Sequence, residues 1–200
     1  MAGTRVGLRD IYFAKLIKDD ATGVAYETPV KIGKAIEASV SPNTNSETLN
    51  ADDGPSEIET AFGGTEIEIG VDQLAHDVQA LLLGHSVNAD GVLEKKATDE
   101  APYGALLFRA QVSGGGYKLY AFYKGKFQPQ EESFATKTDS PEFQTDTITG
   151  TFMRREFDEV WSRSVCTKGE GVSQTVVDNW FKAVYEPSTS TPAPEENSGA

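Results

Sequence analysis

The chain has little of what reactive centres are made from. It holds one cysteine, Cys166, and two histidines, His76 and His85. A single cysteine excludes an internal disulfide and reads as a small core residue in a reducing compartment. Zinc sites need clustered cysteine and histidine ligands, and His76 and His85 lie too far apart to share one helical turn. No apolar run approaches the roughly 20 residues of a membrane helix. The opening Met1–Arg9 lacks the apolar stretch of a secretory signal, so the chain is expected to be made and used in a cytoplasm. Positive charge is also scarce, with 18 Lys and Arg against 31 Asp and Glu and a net charge of −13.

That deficit sits in one place. Residues 41–102 carry 13 acidic and 2 basic residues, while 1–40 and 103–186 are each within one charge of neutral. A protein that grips nucleic acid needs a positive face, and no such face is visible. Such a chain could tolerate or repel DNA but is not expected to bind it tightly.

What the chain does have is strand patterning. Ile11–Lys18, Val24–Thr28 and Lys31–Val40 read as strands, with Asp19–Gly23 as a turn. Residues 41–55 read as a long polar loop, and loops of that length in compact domains are usually functional. Ser56–Phe62 and Thr65–Val71 both alternate strictly, and Gly63-Gly64 between them has the composition of a tight hairpin turn. On this reading Ile58, Thr60, Phe62, Ile67, Ile69 and Val71 share one face. Glu57, Glu59, Glu66 and Glu68 share the other, with Glu59 opposite Glu68. Like charges placed opposite each other destabilise a strand pair.

A helix follows, with Asp72 as its N-cap, an apolar stripe of Leu74, Val78, Leu81 and Leu82, and Gly84 as its end. Tyr103–Val112 and Tyr117–Phe127 flank Ser113–Gly116 as a second hairpin. Glu131–Thr138, Asp146–Arg155 and Glu159–Cys166 read as further strands. Ser173–Tyr185 reads as a short C-terminal helix, and residues 187–200 have the composition of a disordered tail. The expected fold is therefore mainly β: two packed antiparallel sheets, as a sandwich or barrel-like roll, with one flanking helix.

Several chemical motifs fail on inspection. Ser86–Gly91 lacks the acidic first position of a calcium loop, and Ala97 stands where its bidentate glutamate belongs, so it reads as a turn. Gly114–Gly116 is followed by neither a helix N-terminus nor Gly-Lys-Ser/Thr. Nothing in the spacing sets a base beside Cys166. No catalytic residue, metal ligand or cofactor is nominated. The glutamate face is either a solvated outer surface or a negative wall along which polyanions pass without sticking. A third reading pairs it with Lys118, Lys124 and Lys126 of a neighbouring copy.

Val6–Ala14, the Lys31–Val40 strand with its acidic loop, the Gly64–Gly84 strand and helix ending in Leu81-Leu82-Leu83-Gly84-His85, Phe108–Phe127 and Glu142–Gly150 together resemble the major tail protein family of siphophages. The likeness is to the tail tube proteins common in phages and prophages of Gram-positive bacteria. It spans Gly3 to about Pro187 and is a likeness of pattern. It implies a tail tube domain over 1–186 and a structural virion protein with no enzymatic role. Subunits would form hexameric rings that share a β-barrel lining and stack into a conduit for genome ejection. Partners would be further copies, the tape measure protein, and the distal tail and tail terminator proteins, with DNA only in transient, non-specific passage and assembly in the host cytoplasm. The long loop would contact the adjacent ring, with Asn43, Asn45, Glu47, Leu49, Asp52 and Asp53 as its candidate residues. Glu57, Glu59, Glu66 and Glu68 would line the lumen. The alternatives are a type VI secretion tube or a tail terminator, and a carbohydrate-binding β-sandwich. The last would need aromatics on one face, which Tyr117, Tyr120 and Tyr123 do not share.

Overall fold

The computed structural model describes residues 3–51, 54–129, 136 and 145–187. Its strands are β1 (Arg5–Asp20), β2 (Gly23–Tyr26), β3 (Val30–Gly33), β4 (Ala35–Ala51), β5 (Gly54–Val71), β6 (Ser86–Val87), β7 (Leu93–Glu94), β8 (Gly104–Val112), β9 (Tyr117–Phe127), β10 (Asp146–Met153) and β11 (Ser162–Cys166). Two helices, α1 (His76–Leu83) and α2 (Gln174–Asn179), complete it. The fold is mainly β and antiparallel with a flanking helix, as expected. Its two packed layers are opposite walls of one curled nine-stranded sheet in the order β2-β1-β8-β9-β10-β5-β4, with β3 also on β1 and β11 also on β9, and β6 and β7 form a separate ribbon.

The sheet closes on itself. β3 pairs with β1, and after the single residue Lys34 the chain continues as β4, which pairs with β5. The staves are thus β1, β8, β9, β10, β5 and the combined β3–β4 segment. Closure shortens the unpaired edges that an open sheet exposes, leaving β3 paired only with β1 and β4 only with β5 among the described residues. Asp72 holds the crossing point: its Oδ1 accepts the Lys34 N–H at 2.9 Å, and its own N–H donates to the Lys34 carbonyl at 3.1 Å. The sequence reading made Asp72 the helix cap. The N-cap position is instead Ala75, with no side-chain bond, because the Asp72 carboxylate is engaged at the crossing. The Leu74 N–H donates to Asp146 at 2.7 Å, which ties the approach to α1 onto β10. Gly84 ends α1 in the left-handed region, as expected.

The barrel interior draws on every stave: Ile11 and Phe13, Ile32, Ile67 and Ile69, Leu106 and Phe108, Phe122 and Phe127, Ile148 and Phe152. α1 caps it with Val78, Leu82 and Leu83. A second apolar cluster lies on the other face of β8 and β9, where Leu107, Leu119, Ala121 and Tyr123 are covered by Trp180 and Phe181 from the C-terminal segment. Helix α2 in that segment is shorter than the expected Ser173–Tyr185, and turns carry the chain on through Trp180. The fully buried Arg155 clasps the segment, pairing with Asp158 at 2.6 Å and with Glu186 and lying 4.0 Å over the Tyr123 ring.

Three sequence expectations are corrected. Residues 41–51 are strand, not loop. A ribbon exposed on both faces requires no apolar alternation, and Pro42 is tolerated because β4 is an edge strand there. Gly63-Gly64 is not a hairpin turn, since β5 runs straight through it. The pairing shifts between Asn43 and Thr44, so Gly63 is the extra residue of a β-bulge, and Gly64 has φ 115°. Glu59 consequently faces Glu47, not Glu68. Cys166 is half-buried on β11 and not a core residue. Apart from residue 136, the expected strand at 131–138 lies outside the described residues, as does the tail from 188 onward, whereas the hairpin at Ser113–Gly116 and the turn after Asp20 are where the sequence put them.

Gly104 and Gly125 pair across β8 and β9, and the rings of Phe13 and Phe152 lie directly on them, so a β-carbon at either position would overlap a ring. We expect Gly125→Ala to lower unfolding free energy in urea by about 1–3 kcal/mol through overpacking. Thr151→Ala, on the outer face of the neighbouring strand, should stay within about 0.5 kcal/mol of wild type. Equal stability of the two variants would contradict this packing.

Candidate functional site

The acidic residues singled out from sequence fall on the β4–β5 hairpin. Its lower part, from Val71 to Thr65 on β5, is held between β4 and β10. Beyond the bulge, β5 pairs among the described residues with β4 alone, and Thr44–Ala51 with Gly54–Phe62 form a projecting arm of two strands. At the rise of a strand the arm reaches about 30 Å. Its base is fixed by Phe62, whose ring stacks on Trp161 at 5.0 Å, and Trp161 packs in turn against the barrel core.

Strand parity sorts the arm into two faces. On β4 the alternation is unbroken from Ala38 to Leu49, while on β5 the bulge at Gly63 shifts it by one. Glu57 and Glu59 therefore share a face with Glu66 and Glu68, as the sequence reading held, through a bulge rather than a turn. Glu47, opposite Glu59, and Glu37, opposite Gly70, join them. All six glutamates are exposed, and none makes an ion pair with a described residue. The other face carries Thr44, Ser46, Thr48, Ile58 and Thr60 and no charge. Pairing of identical charges at Glu47 and Glu59 costs the isolated arm up to about 1 kcal/mol.

The loop candidates Asn43, Asn45, Glu47 and Leu49 lie on the glutamate face too, and Asp52 and Asp53 lie outside the described residues. Sequence reading missed Glu37 and Glu47 as members of the acidic face. The signal was the alternation of Asn43, Asn45, Glu47 and Leu49, hidden while the segment was read as loop. Trp161 was missed as the arm's anchor, for nothing local links it to Phe62.

The three candidate lysines have different surroundings. Lys124 is buried and bonded to Asp19 at 2.8 Å and to Glu156 at 3.1 Å, so it is committed within its own chain. Burial would lower its pKa, but the two carboxylates outweigh that and raise it. Burial likewise pushes Asp19 up, and the Lys124 ammonium with the N–H groups of Glu156 and Phe157 overcomes this and holds it below the ordinary aspartate value. Lys118 and Lys126 are half-buried over the rings of Tyr120 and Tyr103, at 5.2 and 4.4 Å, and make no ion pair with a described residue. Of the two histidines, His76 opens α1 exposed and His85 is half-buried beside Asp99 at 2.7 Å. Tyr117 and Tyr123 pack in the outer cluster and Tyr120 against the barrel core, so the three form no single aromatic platform.

A family model described as phage tail tube protein matches residues 32–183 of the chain. No curated protein matches it significantly.

Lys124→Ala is expected to cost about 3 kcal/mol of folding stability by leaving Asp19 buried without its cation, and Lys126→Ala less than about 0.5 kcal/mol. Because the Asp19 pKa is lowered by folding, its contribution is complete above the ordinary value of 3.8 and fades as pH falls below it. Urea titrations at pH 7 and pH 3 check both points. A stability gap between wild type and Lys124→Ala that does not narrow in acid would contradict this ion pair.

Proposed function

The chain belongs to the phage tail tube protein family, and from that premise we propose that it is the major tail tube subunit of a long-tailed, siphophage-type virion. Copies form hexameric rings, and stacked rings make the conduit through which the genome leaves the particle. Assembly takes place in the host cytoplasm, with the tape measure protein setting the length and the distal tail and tail terminator proteins closing the two ends. The role is structural and not enzymatic.

The observation that carries this reading is that the glutamates of the barrel and of the arm lie on one face, with the uncharged pairs Asn43–Gly64 and Asn45–Ala61 between the two groups. Glu57, Glu59, Glu66 and Glu68, together with Glu37 and Glu47, present six exposed carboxylates on adjacent strands with no ion-pair partner among the described residues. Along a lumen such a wall repels phosphates and keeps passing DNA from sticking. On the outside of a monomer it has no evident use and a stability cost. The arm supports the same reading from a second side. A two-stranded ribbon is marginal in water by itself, and an arm of this length can reach a neighbouring ring. Lys118 and Lys126, without carboxylate partners among the described residues, are offered as contacts to an adjacent copy.

Negative-stain microscopy of the purified chain at high concentration is expected to show rings or tubes, and reconstruction of those tubes to place Glu66 and Glu68 on the bore. A tube with these glutamates on its outer surface would overturn the lumen assignment. A chain that stays monomeric at every concentration, even with tail initiator proteins added, would overturn the tube reading itself.

A further inference from the structure

We infer that the uncharged face of the arm, formed by Thr44, Ser46, Thr48, Ile58 and Thr60, seats on a second copy of this chain, while the glutamate face stays in water. This rests on the tube reading above and assigns which side of the arm makes the contact. The residues nominated from sequence for ring stacking and those nominated for the lumen wall fall on one and the same face. One face cannot both line an aqueous bore and be buried in an interface, so the stacking contact falls to the other.

The physical chemistry of the two faces separates them. Seating the glutamate face would strip water from Glu47, Glu57 and Glu59, of which two stand directly opposite each other, with no described cation beside them. Burying unpaired carboxylates is costly. The opposite face loses only hydroxyl hydration, which a partner's backbone or side chains can replace, and it gains burial of Ile58, now 67 % exposed. The occupant follows from charge. Two copies repel one another where their carboxylates gather, in the segment 41–102 that carries 13 acidic and 2 basic residues, so within that segment they approach most cheaply at a neutral face. A cationic partner would choose the glutamate face instead. The arm is also held at a defined angle, because Phe62, at the foot of the uncharged face, is stacked on Trp161.

The test uses the full chain and two double variants: Ile58→Glu with Thr60→Glu, which charges the uncharged face, and Glu57→Gln with Glu59→Gln, which neutralises the acidic one. Assembly is read by sedimentation and negative stain, and monomer folding by thermal melting. The charged variant is expected to need at least about tenfold more protein to assemble than wild type, with an unchanged melt. The neutralised variant should assemble at the same or lower concentration. A labelling experiment covers the case in which a variant folds poorly. In a Cys166→Ser background, Thr60→Cys should lose thiol reactivity on assembly and Glu59→Cys should keep it. Protection of position 59 with free reactivity at position 60, or loss of assembly only in the neutralised variant, would overturn this inference and leave the tube reading standing. Failure of the wild-type chain to associate under any condition would overturn both.

Discussion

Residues 30–51 bond first to one wall of the sheet and then, past Lys34, to the other, and that crossing turns a sheet into a cylinder. Everything else in the molecule depends on it. With the crossing in place, the inner faces of all staves point at one another and enclose a single aromatic-rich core. Without it, β1 and β5 would each expose an edge, and the sheet would be open to pairing with any neighbour. Asp72 supports the crossing with bonds to both the N–H and the carbonyl of Lys34. The Lys34 N–H bonded to its carboxylate, with the Gln73 N–H and the Lys34 ammonium, outweighs burial and holds its pKa below the ordinary aspartate value.

Closure also defines what is left over. The parts paired on one side only among the described residues are the arm, the short strands β2, β3 and β11, and β4 along the barrel. The arm is the largest of these, and it concentrates carboxylates where two strands alone must hold them. Cross-strand pairs contribute roughly 0.2–1 kcal/mol each, so a glutamate opposite a glutamate is a considerable fraction of what a two-stranded ribbon has to spare. Such a design makes sense for an element whose stability is completed by a neighbour and whose charge serves the assembled object.

Much of this was legible in the sequence because it is local. The hairpin at Ser113–Gly116, the turn after Asp20, the Gly84 cap and the sharing of one face by Glu57, Glu59, Glu66 and Glu68 all follow from spacing and backbone preference. The errors also have local causes. Gly63-Gly64 suits a tight turn and a bulge equally well, and a bulge keeps the same residues on the same faces, so the face assignment survived a wrong topology. The polar strand of the arm carries no apolar period because neither of its faces is covered by a described residue. What could not be read is long-range. Asp72 reaches back 38 positions to Lys34, Lys124 finds Asp19 at a separation of 105, and Phe62 meets Trp161 across the barrel wall. No spacing rule contains those pairs.

The central claim is that the subunit is a self-closed barrel bearing an arm that only a neighbour can stabilise. Hydrogen exchange on the monomer and on the assembled form tests it most directly. The account predicts slow exchange in the monomer for the barrel segments 67–71, 105–108 and 119–123, and fast exchange for 44–51 and 54–62. It also predicts that those arm amides become protected on assembly. Arm amides already as protected as the barrel in the monomer, or left unprotected in the tube, would contradict it.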